Sequence, residues 1–224
     1  NNEDPGYIAE LNKLIEGTKP IGSDIETVIT VPAYQEGKNL EKTIRSYAKL
    51  KNRSKFELVI LENHSAGVSR DNTLEVIEKM KLEFPDLNIV NLYKVFDKKP
   101  TIGEVRKYLV DSVMLRKVKS NIKNSLAIVS NDADLEDISE NYADKISETF
   151  KKDPNIDALG AKWDFPEKNF KKFPLLHASQ RLWQYLDISF RNYYLKSPEL
   201  IGRNSAFRSG VYAAIGGYNK NAKL

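Results

Sequence analysis

Two aspartates separated by one residue, Asp132 and Asp134, directly follow an apolar, strand-like segment at residues 125–130. Two carboxylates in one turn repel each other unless a cation neutralises them. Carboxylate oxygens are ligands that Mg²⁺ and Mn²⁺ prefer. The pattern therefore predicts a metal site. The alternative is that Asp134, Glu136 and Asp137 only stabilise the N-terminal end of the next helix, and the sequence leaves that alternative open.

Three basic residues, Lys98, Lys99 and Arg106, surround the expected start of another helix. Cations beside a helix N-terminus form a site for phosphate oxygens. A solvated basic loop would show the same residue types. Because the acidic pair and the basic residues occur together, we expect a site for a metal ion and a diphosphate.

Polar residues also follow the first two predicted strands. Pro32 blocks further pairing of the first strand, and Glu36 can accept hydrogen bonds from a ribose or a base. A second carboxylate, Glu62, ends the second strand and is suited to an imide N–H or a sugar hydroxyl. We therefore expect base and ribose to bind between residues 32–36 and Glu62, although a solvated Glu36 would need no ligand.

The elements that position these residues alternate between strands and helices, the pattern of an α/β fold with a mostly parallel central sheet flanked by helices. In open sheets of this kind, ligands bind at the carboxyl ends of the strands. We expect one domain over residues 1–224. The predicted strands are residues 27–33, 56–61, 88–95, 125–130, 156–165 and 200–207.

Apolar spacing and end signals place the helices between these strands. Thr101 and Glu104 form a potential capping box for one helix. Ile138, Tyr142 and Ile146 mark the next one. In the last third, an aromatic-rich helix is predicted around residues 182–190 and a short one over residues 211–215.

Composition excludes several classes of protein. The 224 residues contain no cysteine and two histidines, so a zinc–cysteine site, a thiol nucleophile and a multi-histidine metal cluster are excluded, and we expect His177 to be structural. A net charge of +4 is too small to indicate nucleic acid. No apolar run approaches the roughly 20 residues that span a bilayer, and the first residues do not form a signal peptide. We expect a cytoplasmic protein with no membrane span in this chain.

Four segments together resemble a known family. They are VPAYQEGKNLEKTI at residues 31–44, LVILENHSAG with DNT at residues 58–67 and 71–73, IVSNDAD at residues 128–134, and IGRNSAFRSGVYAAIGGYN at residues 201–219. In this order and spacing they are similar to glycosyltransferase family 2, whose members have the Rossmann-like GT-A fold of nucleotide-diphospho-sugar transferases. The resemblance covers residues 26–219.

The resemblance implies a sugar-nucleotide donor and a Mn²⁺ or Mg²⁺ cofactor. It implies that Ala33, Tyr34 and Glu36 line the nucleotide and that Asp132 and Asp134 form the Asp-x-Asp metal motif, with Asp134 the direct ligand. Glu62 stands where the family usually has an aspartate facing the base. We expect the nucleotide site to comprise Pro32, Ala33, Tyr34, Glu36, Glu62, Arg106 and Asp132.

The sequence departs from the pattern of this family near its end. Family members usually carry a Glu-Asp pair after the Gly-Gly-aromatic segment, and its aspartate is the general base toward the acceptor hydroxyl. No acidic residue follows Glu199 here. We therefore expect a complete donor half at residues 26–137, an incomplete acceptor half at residues 156–224, and a base beyond Leu224. If the base lies within the chain, Asp164 and Glu199 are the first residues to test.

The function expected is transfer of a hexosyl-type sugar to the hydroxyl of a glycan, lipid or small molecule. A nucleotidyltransferase acting on a sugar phosphate needs similar metal carboxylates, but a glycine-rich loop after the first strand would favour it, and that loop holds only Gly37. A non-catalytic domain that binds sugar nucleotides or glycans is the third possibility.

Overall fold

Four strands alternate with helices over the first 130 residues, as the sequence predicts. They are β1 (Thr27–Ala33), β2 (Phe56–Ser65), β3 (Ile89–Phe96) and β4 (Ala127–Ser130). The computed structural model describes residues 4–160, 171–190, 193 and 204–219. Nearly every residue of β1, β2 and β4 is buried, which explains their β-branched, apolar sequences.

Two further strands complete the sheet in the described part of the chain, β5 (Ala158–Gly160) and β6 (Ser205–Arg208). The strand order is β3-β2-β1-β4-β6-β5. The first four strands are parallel, and β6 is antiparallel to both of its neighbours. The mostly parallel sheet is therefore confirmed. Parts of the last two predicted strands, residues 161–165 and 200–203, lie outside the described residues.

Helices cover both faces of this sheet. They are α1 (Pro5–Leu14), α2 (Gly37–Tyr47), α3 (Thr73–Glu83), α4 (Ile102–Lys119), α5 (Tyr142–Lys152), α6 (Pro174–Phe190) and α7 (Ser209–Ala214), with a 3₁₀ turn at Arg53–Lys55. One apolar cluster joins α2, α3 and α5 to the sheet. A second cluster joins α1, α4 and α7 to the opposite face.

The first helix is an element that the strand–helix alternation does not predict. Its start carries a local signal, because Pro5 takes the first helical position and Asp4 accepts a hydrogen bond of 2.9 Å from the backbone of Gly6. Tyr7 and Leu11, one turn apart, are both buried. The helix packs beside α4 on the same face of the sheet.

The start of α4 agrees with the predicted cap, and the start of α5 does not agree with its apolar spacing. The Thr101 hydroxyl accepts a hydrogen bond of 3.0 Å from the backbone N–H of Glu104. In contrast, α5 begins at Tyr142, so Ile138 lies in the preceding loop. Ile138 is still buried in the core, and a loop residue that packs inward mimics helical spacing.

The aromatic-rich helix is present as α6, but its apolar residues face outward. Leu182, Trp183, Leu186 and Phe190 are each at least 49% exposed, whereas His177 is buried. Their spacing therefore predicts a helix but not a core position. In the described ranges, no helix is both long and apolar enough to cross a membrane.

A buried ion pair connects β2 to α4. The Arg116 guanidinium donates to both oxygens of Glu57 at 2.5 and 3.0 Å, and it also donates to the carbonyl of Lys19 at 2.7 Å. Both charged side chains are at most 5% exposed. Each charge is tolerated there because the other one neutralises it.

We expect Arg116→Met to lower the free energy of unfolding by about 3–5 kcal/mol, because it leaves the Glu57 carboxylate buried and unpaired. The double variant Glu57→Leu/Arg116→Met should regain most of that loss. Lys81→Met is the control, since Lys81 forms an exposed pair with Glu78, and it should cost less than about 1 kcal/mol. Urea unfolding measures all three. If Arg116→Met and Lys81→Met lowered the free energy of unfolding equally, the result would contradict the role given to the buried ion pair.

Candidate functional site

The carboxyl ends of the parallel strands meet at one edge of the sheet and enclose a cleft of about 750 Å³. Strand pairing brings these ends together, because Thr30 of β1 lies opposite Ser130 of β4 and Ala33 lies opposite Glu62 of β2. The cleft is lined by Pro32, Tyr34, Glu36, Asn63, residues 99–102, Val105 and residues 132–134. The acidic pair and the loop after β1 therefore share one cavity.

The buried amide of Asn131 fixes the turn that carries the acidic pair. Its nitrogen donates to the Tyr47 hydroxyl at 2.7 Å, and its oxygen accepts from the backbone N–H of Asn204 at 3.0 Å. The Tyr142 hydroxyl donates to the side-chain oxygen of Asn204 at 2.9 Å. Burial raises the pKa of Tyr142 to about 12, so it stays a neutral donor. The network joins β4 to α2, α5 and the start of β6.

Helix α2 holds the backbone of the same turn from the other side. The Thr43 hydroxyl lies within hydrogen-bond distance of the carbonyls of Ala133 and Leu135, at 2.7 and 3.0 Å. The Ser46 hydroxyl donates to the carbonyl of Glu136 at 2.8 Å. These contacts leave the two aspartate side chains, rather than the backbone, facing the cleft.

The two aspartates have different environments. Asp132 is partly exposed, and its Oδ1 accepts a hydrogen bond of 2.8 Å from Nη2 of Arg106. Asp134 is exposed and has no hydrogen bond or ion pair with any residue of the described part. Since α5 begins at Tyr142, Asp134 is too far along the chain to act on the end of that helix, whose dipole acts only within its first turn. For Asp134, the structure therefore gives no support to the helix-end explanation.

The donor atoms of the acidic turn fit a hard divalent cation. Asp132 and Asp134 offer carboxylate oxygens in a partly open cleft, and Mg²⁺ and Mn²⁺ keep coordination positions for water and phosphate oxygens. Within the described ranges, no group of three or more histidine, aspartate and glutamate side chains could hold a metal ion. A metal bound here would need ligands from a bound molecule or from water.

Glu62 does not line the cleft. Its carboxylate is fully buried, and Arg70 donates to both of its oxygens at 2.7–2.9 Å. Nε2 of His64 lies 3.1 Å from the same carboxylate. The Arg70 guanidinium also stacks 4.3 Å from the ring centre of Tyr93. The acceptor capacity of Glu62 is therefore directed away from the cleft.

The adjacent residue, Asn63, is the part of β2 that reaches the cleft, and sequence reasoning missed it. Its amide nitrogen donates to the carbonyl of Ala33 at 3.1 Å. Ala33 itself is buried in the apolar core and does not line the cleft, so it supports Asn63 through its carbonyl. Side chains alternate along a strand, so residues 62 and 63 point to opposite faces. The strand predicted from the sequence ends at residue 61, whereas β2 continues to Ser65, and nothing in the sequence shows which face of the strand meets the cleft.

The loop after β1 is held by the segment that precedes α3. Gln35, which has a left-handed φ of 53°, donates to the carbonyl of Ser69 at 3.1 Å. The backbone N–H of Gly37 donates to Asp71 at 3.1 Å. Burial would raise the pKa of Asp71, but hydrogen bonds from Thr73 and from the Gly37 backbone hold that pKa below its usual value. The Asp71 carboxylate thus clamps the two loops together.

The basic residues are distributed over the surroundings of the cleft. Lys99 lines it, and Lys98 is exposed outside it. Arg106 is buried behind Asp132 and does not line the cleft directly. The two remaining candidates for a general base, Asp164 and Glu199, lie outside the described residues.

Comparison with known proteins gives structural matches only. No family model matches the chain, and no curated protein matches it significantly. The mannosyltransferase PcManGT from Pyrobaculum calidifontis, solved with GDP-Man and Mn²⁺, superposes with a TM-score of 0.61 at 15% identity, over 96% of this chain and 55% of its own. The chain has the GT-A fold.

A second GT-A structure supports the same fold. Residues 1–349 of TarS from S. aureus superpose with a TM-score of 0.55 at 17% identity, over 89% of this chain and 52% of TarS. The chain thus spans about half the length of each of these two proteins. The predicted GT-A fold is confirmed, and at these identities the likeness shows the fold alone.

Gly37 allows the two loops of the cleft to approach each other. A Cβ at this position would lie 2.0 Å from the side-chain oxygen of Asn72. We expect Gly37→Ala to lower the free energy of unfolding by about 1–3 kcal/mol, the usual effect of overpacking. Gly210→Ala is the matched control, because open space surrounds that helical glycine, and it should stabilise by about 0.5–1 kcal/mol. Urea unfolding measures both, and a Gly37→Ala variant as stable as the parent would contradict the packing argument.

Proposed function

We propose that this chain acts as a metal-dependent glycosyltransferase domain that moves a sugar from a nucleoside-diphosphate sugar to an acceptor hydroxyl. The observation that carries the proposal is the exposed Asp134 beside Asp132 in a cleft at the carboxyl ends of a GT-A sheet. The acceptor, whether glycan, lipid or small molecule, and the hexosyl nature of the donor sugar are part of this proposal.

The acidic turn is proposed to hold Mn²⁺ or Mg²⁺, with Asp134 as a direct ligand and Asp132 beside it. A divalent cation bound there supplies Lewis-acid stabilisation of the departing diphosphate, which is worth several kcal/mol. PcManGT was solved with GDP-Man and Mn²⁺, which favours manganese. Lys99 faces the same cleft and adds positive charge for the phosphate oxygens.

The nucleotide is proposed to lie along Pro32, Tyr34 and Glu36, with Asn63 in place of Glu62 facing the base. Tyr34 is 38% exposed and offers a ring for stacking. The Asn63 nitrogen is occupied by Ala33, which leaves the amide oxygen as an acceptor for a base N–H. Glu62 takes part only as the buried partner of Arg70.

The general base toward the acceptor remains the residue that the family resemblance places after the Gly-Gly-aromatic segment. A carboxylate in that role typically contributes a factor of about 10²–10⁴ in rate.

Gly37 does not line the cleft and packs against Asn72 instead. This arrangement gives no support to a phosphate-cradling loop of the nucleotidyltransferase type.

Asp134→Asn should abolish Mn²⁺-dependent binding of UDP or GDP. The affinity should fall by more than about tenfold, because removing a residue that merely orients a metal ligand already lowers metal affinity by about tenfold or more, and Asp134 is proposed to be a ligand itself. Isothermal titration calorimetry with MnCl₂ and with EDTA measures this difference. Asp137→Asn is the control, since that carboxylate lies in the same loop but outside the cleft lining. Unchanged affinity and unchanged metal dependence in Asp134→Asn would contradict the metal site.

Glu36→Ala should weaken binding of the same nucleotide by about 1–3 kcal/mol, the usual cost of losing a charged hydrogen bond. Glu41→Ala provides the control, because Glu41 lies on α2 outside the cleft and pairs with Arg45 and Lys79. Titration calorimetry at saturating Mn²⁺ compares the two variants. If both weaken binding equally, the nucleotide does not contact the loop after β1.

A further inference from the structure

Among the described residues, Arg106 is a buried cation with one charged partner, Asp132. Its side chain is 6% exposed, and Nη2 donates to Oδ1 of Asp132 at 2.8 Å. Its Nε is buried and has no hydrogen-bond partner in the described ranges. Burying a guanidinium is costly unless its charge is compensated, so the position of Arg106 depends on the acidic turn.

A tyrosine of an aromatic cluster lies near Arg106. Tyr218 is half-buried near Arg106, and its hydroxyl forms a hydrogen bond with Ser130, two residues before Asp132. The Tyr218 ring contacts Phe207 and Tyr212 at centroid distances of 6.0 and 5.7 Å. The burial of the Arg106 side chain and its hydrogen bond to Asp132 place the guanidinium behind the acidic turn.

The ion pair divides the two carboxylates into different roles. Oδ1 of Asp132 is held by Arg106, while Asp134 has no partner in the described part of the chain. One of the two negative charges is thus balanced before any ligand binds. What remains in the acidic turn is a single uncompensated carboxylate, a poor site for a bare divalent cation.

We propose that Arg106 is a positioning residue that makes the acidic pair selective for a metal–diphosphate complex over a free metal ion. This inference rests on the proposed function. The buried positive charge orients Asp132, opposes a bare cation and attracts the phosphate groups that arrive with a nucleotide. Arg106 does not line the cleft, so it acts through Asp132 and through its field rather than by contact with the reacting atoms.

The test compares Arg106→Gln with the parent chain in two titrations. Electron paramagnetic resonance of Mn²⁺ alone should show affinity about threefold to tenfold higher in the variant, because a positive charge near the cation is removed. Calorimetry with UDP and GDP at saturating Mn²⁺ should show affinity at least about tenfold lower. A purely structural role for Arg106 would lower both affinities. The inference is overturned if the affinity for Mn²⁺ alone and the affinity for the nucleotide change in the same direction, or if one of them does not change.

Two further variants make the result unambiguous. Arg45→Gln removes an exposed arginine paired with Glu41 and Glu83 and should alter neither titration. Arg106→Lys keeps the charge and should bind Mn²⁺ alone within about twofold of the parent, so it decides the question if Arg106→Gln does not fold by circular dichroism. A tenfold change in Arg106→Lys for Mn²⁺ alone would overturn the charge argument.

Failure of the proposed function gives a different result. A parent chain that binds neither nucleotide at any Mn²⁺ concentration contradicts the function itself. A parent chain that binds one of them, with both affinities moving together in Arg106→Gln, contradicts only the role of Arg106.

Discussion

The side-chain amide of Asn131 is fully buried where β4 ends, and it must find partners there because an unsatisfied buried amide costs about 1–3 kcal/mol. Its partners are Tyr47 of α2 and the backbone of Asn204 before β6. These bonds hold Asn131, the first residue of the acidic turn, against two elements that are distant in sequence. The position of Asn131 in turn sets the direction of the Asp132 and Asp134 carboxylates.

Charge balance explains why the acidic turn can exist beside a buried strand. The Asp132 carboxylate is compensated by Arg106, which approaches from α4, and the Asp134 carboxylate is exposed to water in the cleft. The same principle applies at Glu57 and at Glu62, each of which is buried with an arginine. In the part of the chain that the structure describes, the two carboxylates buried in the sheet, Glu57 and Glu62, are each paired with an arginine, and Asp134 is the carboxylate of the acidic turn left for a ligand.

The sequence predicts the alternation and the sheet well, because buried parallel strands require continuous runs such as residues 27–33 and 56–61. It predicts the acidic turn for the same reason, since the turn follows the end of such a run. It does not predict that Asn63 rather than Glu62 reaches the cleft, because that depends on which face of β2 meets α4.

The pairings of Arg70 with Glu62 and of Arg106 with Asp132 are contacts between separate elements, and the spacing of residues in the sequence does not predict them. Ile138 shows the opposite error, in which a buried loop residue imitates a helical repeat.

The central claim is that the acidic turn binds a divalent cation together with a nucleoside diphosphate. Crystals grown with MnCl₂ and UDP or GDP, measured at the manganese absorption edge, test it directly. The account predicts an anomalous peak within coordination distance of an Asp134 oxygen, with the diphosphate on the same ion and the base beside Asn63. A nucleotide bound elsewhere, or a manganese peak away from residues 132–134, would contradict it.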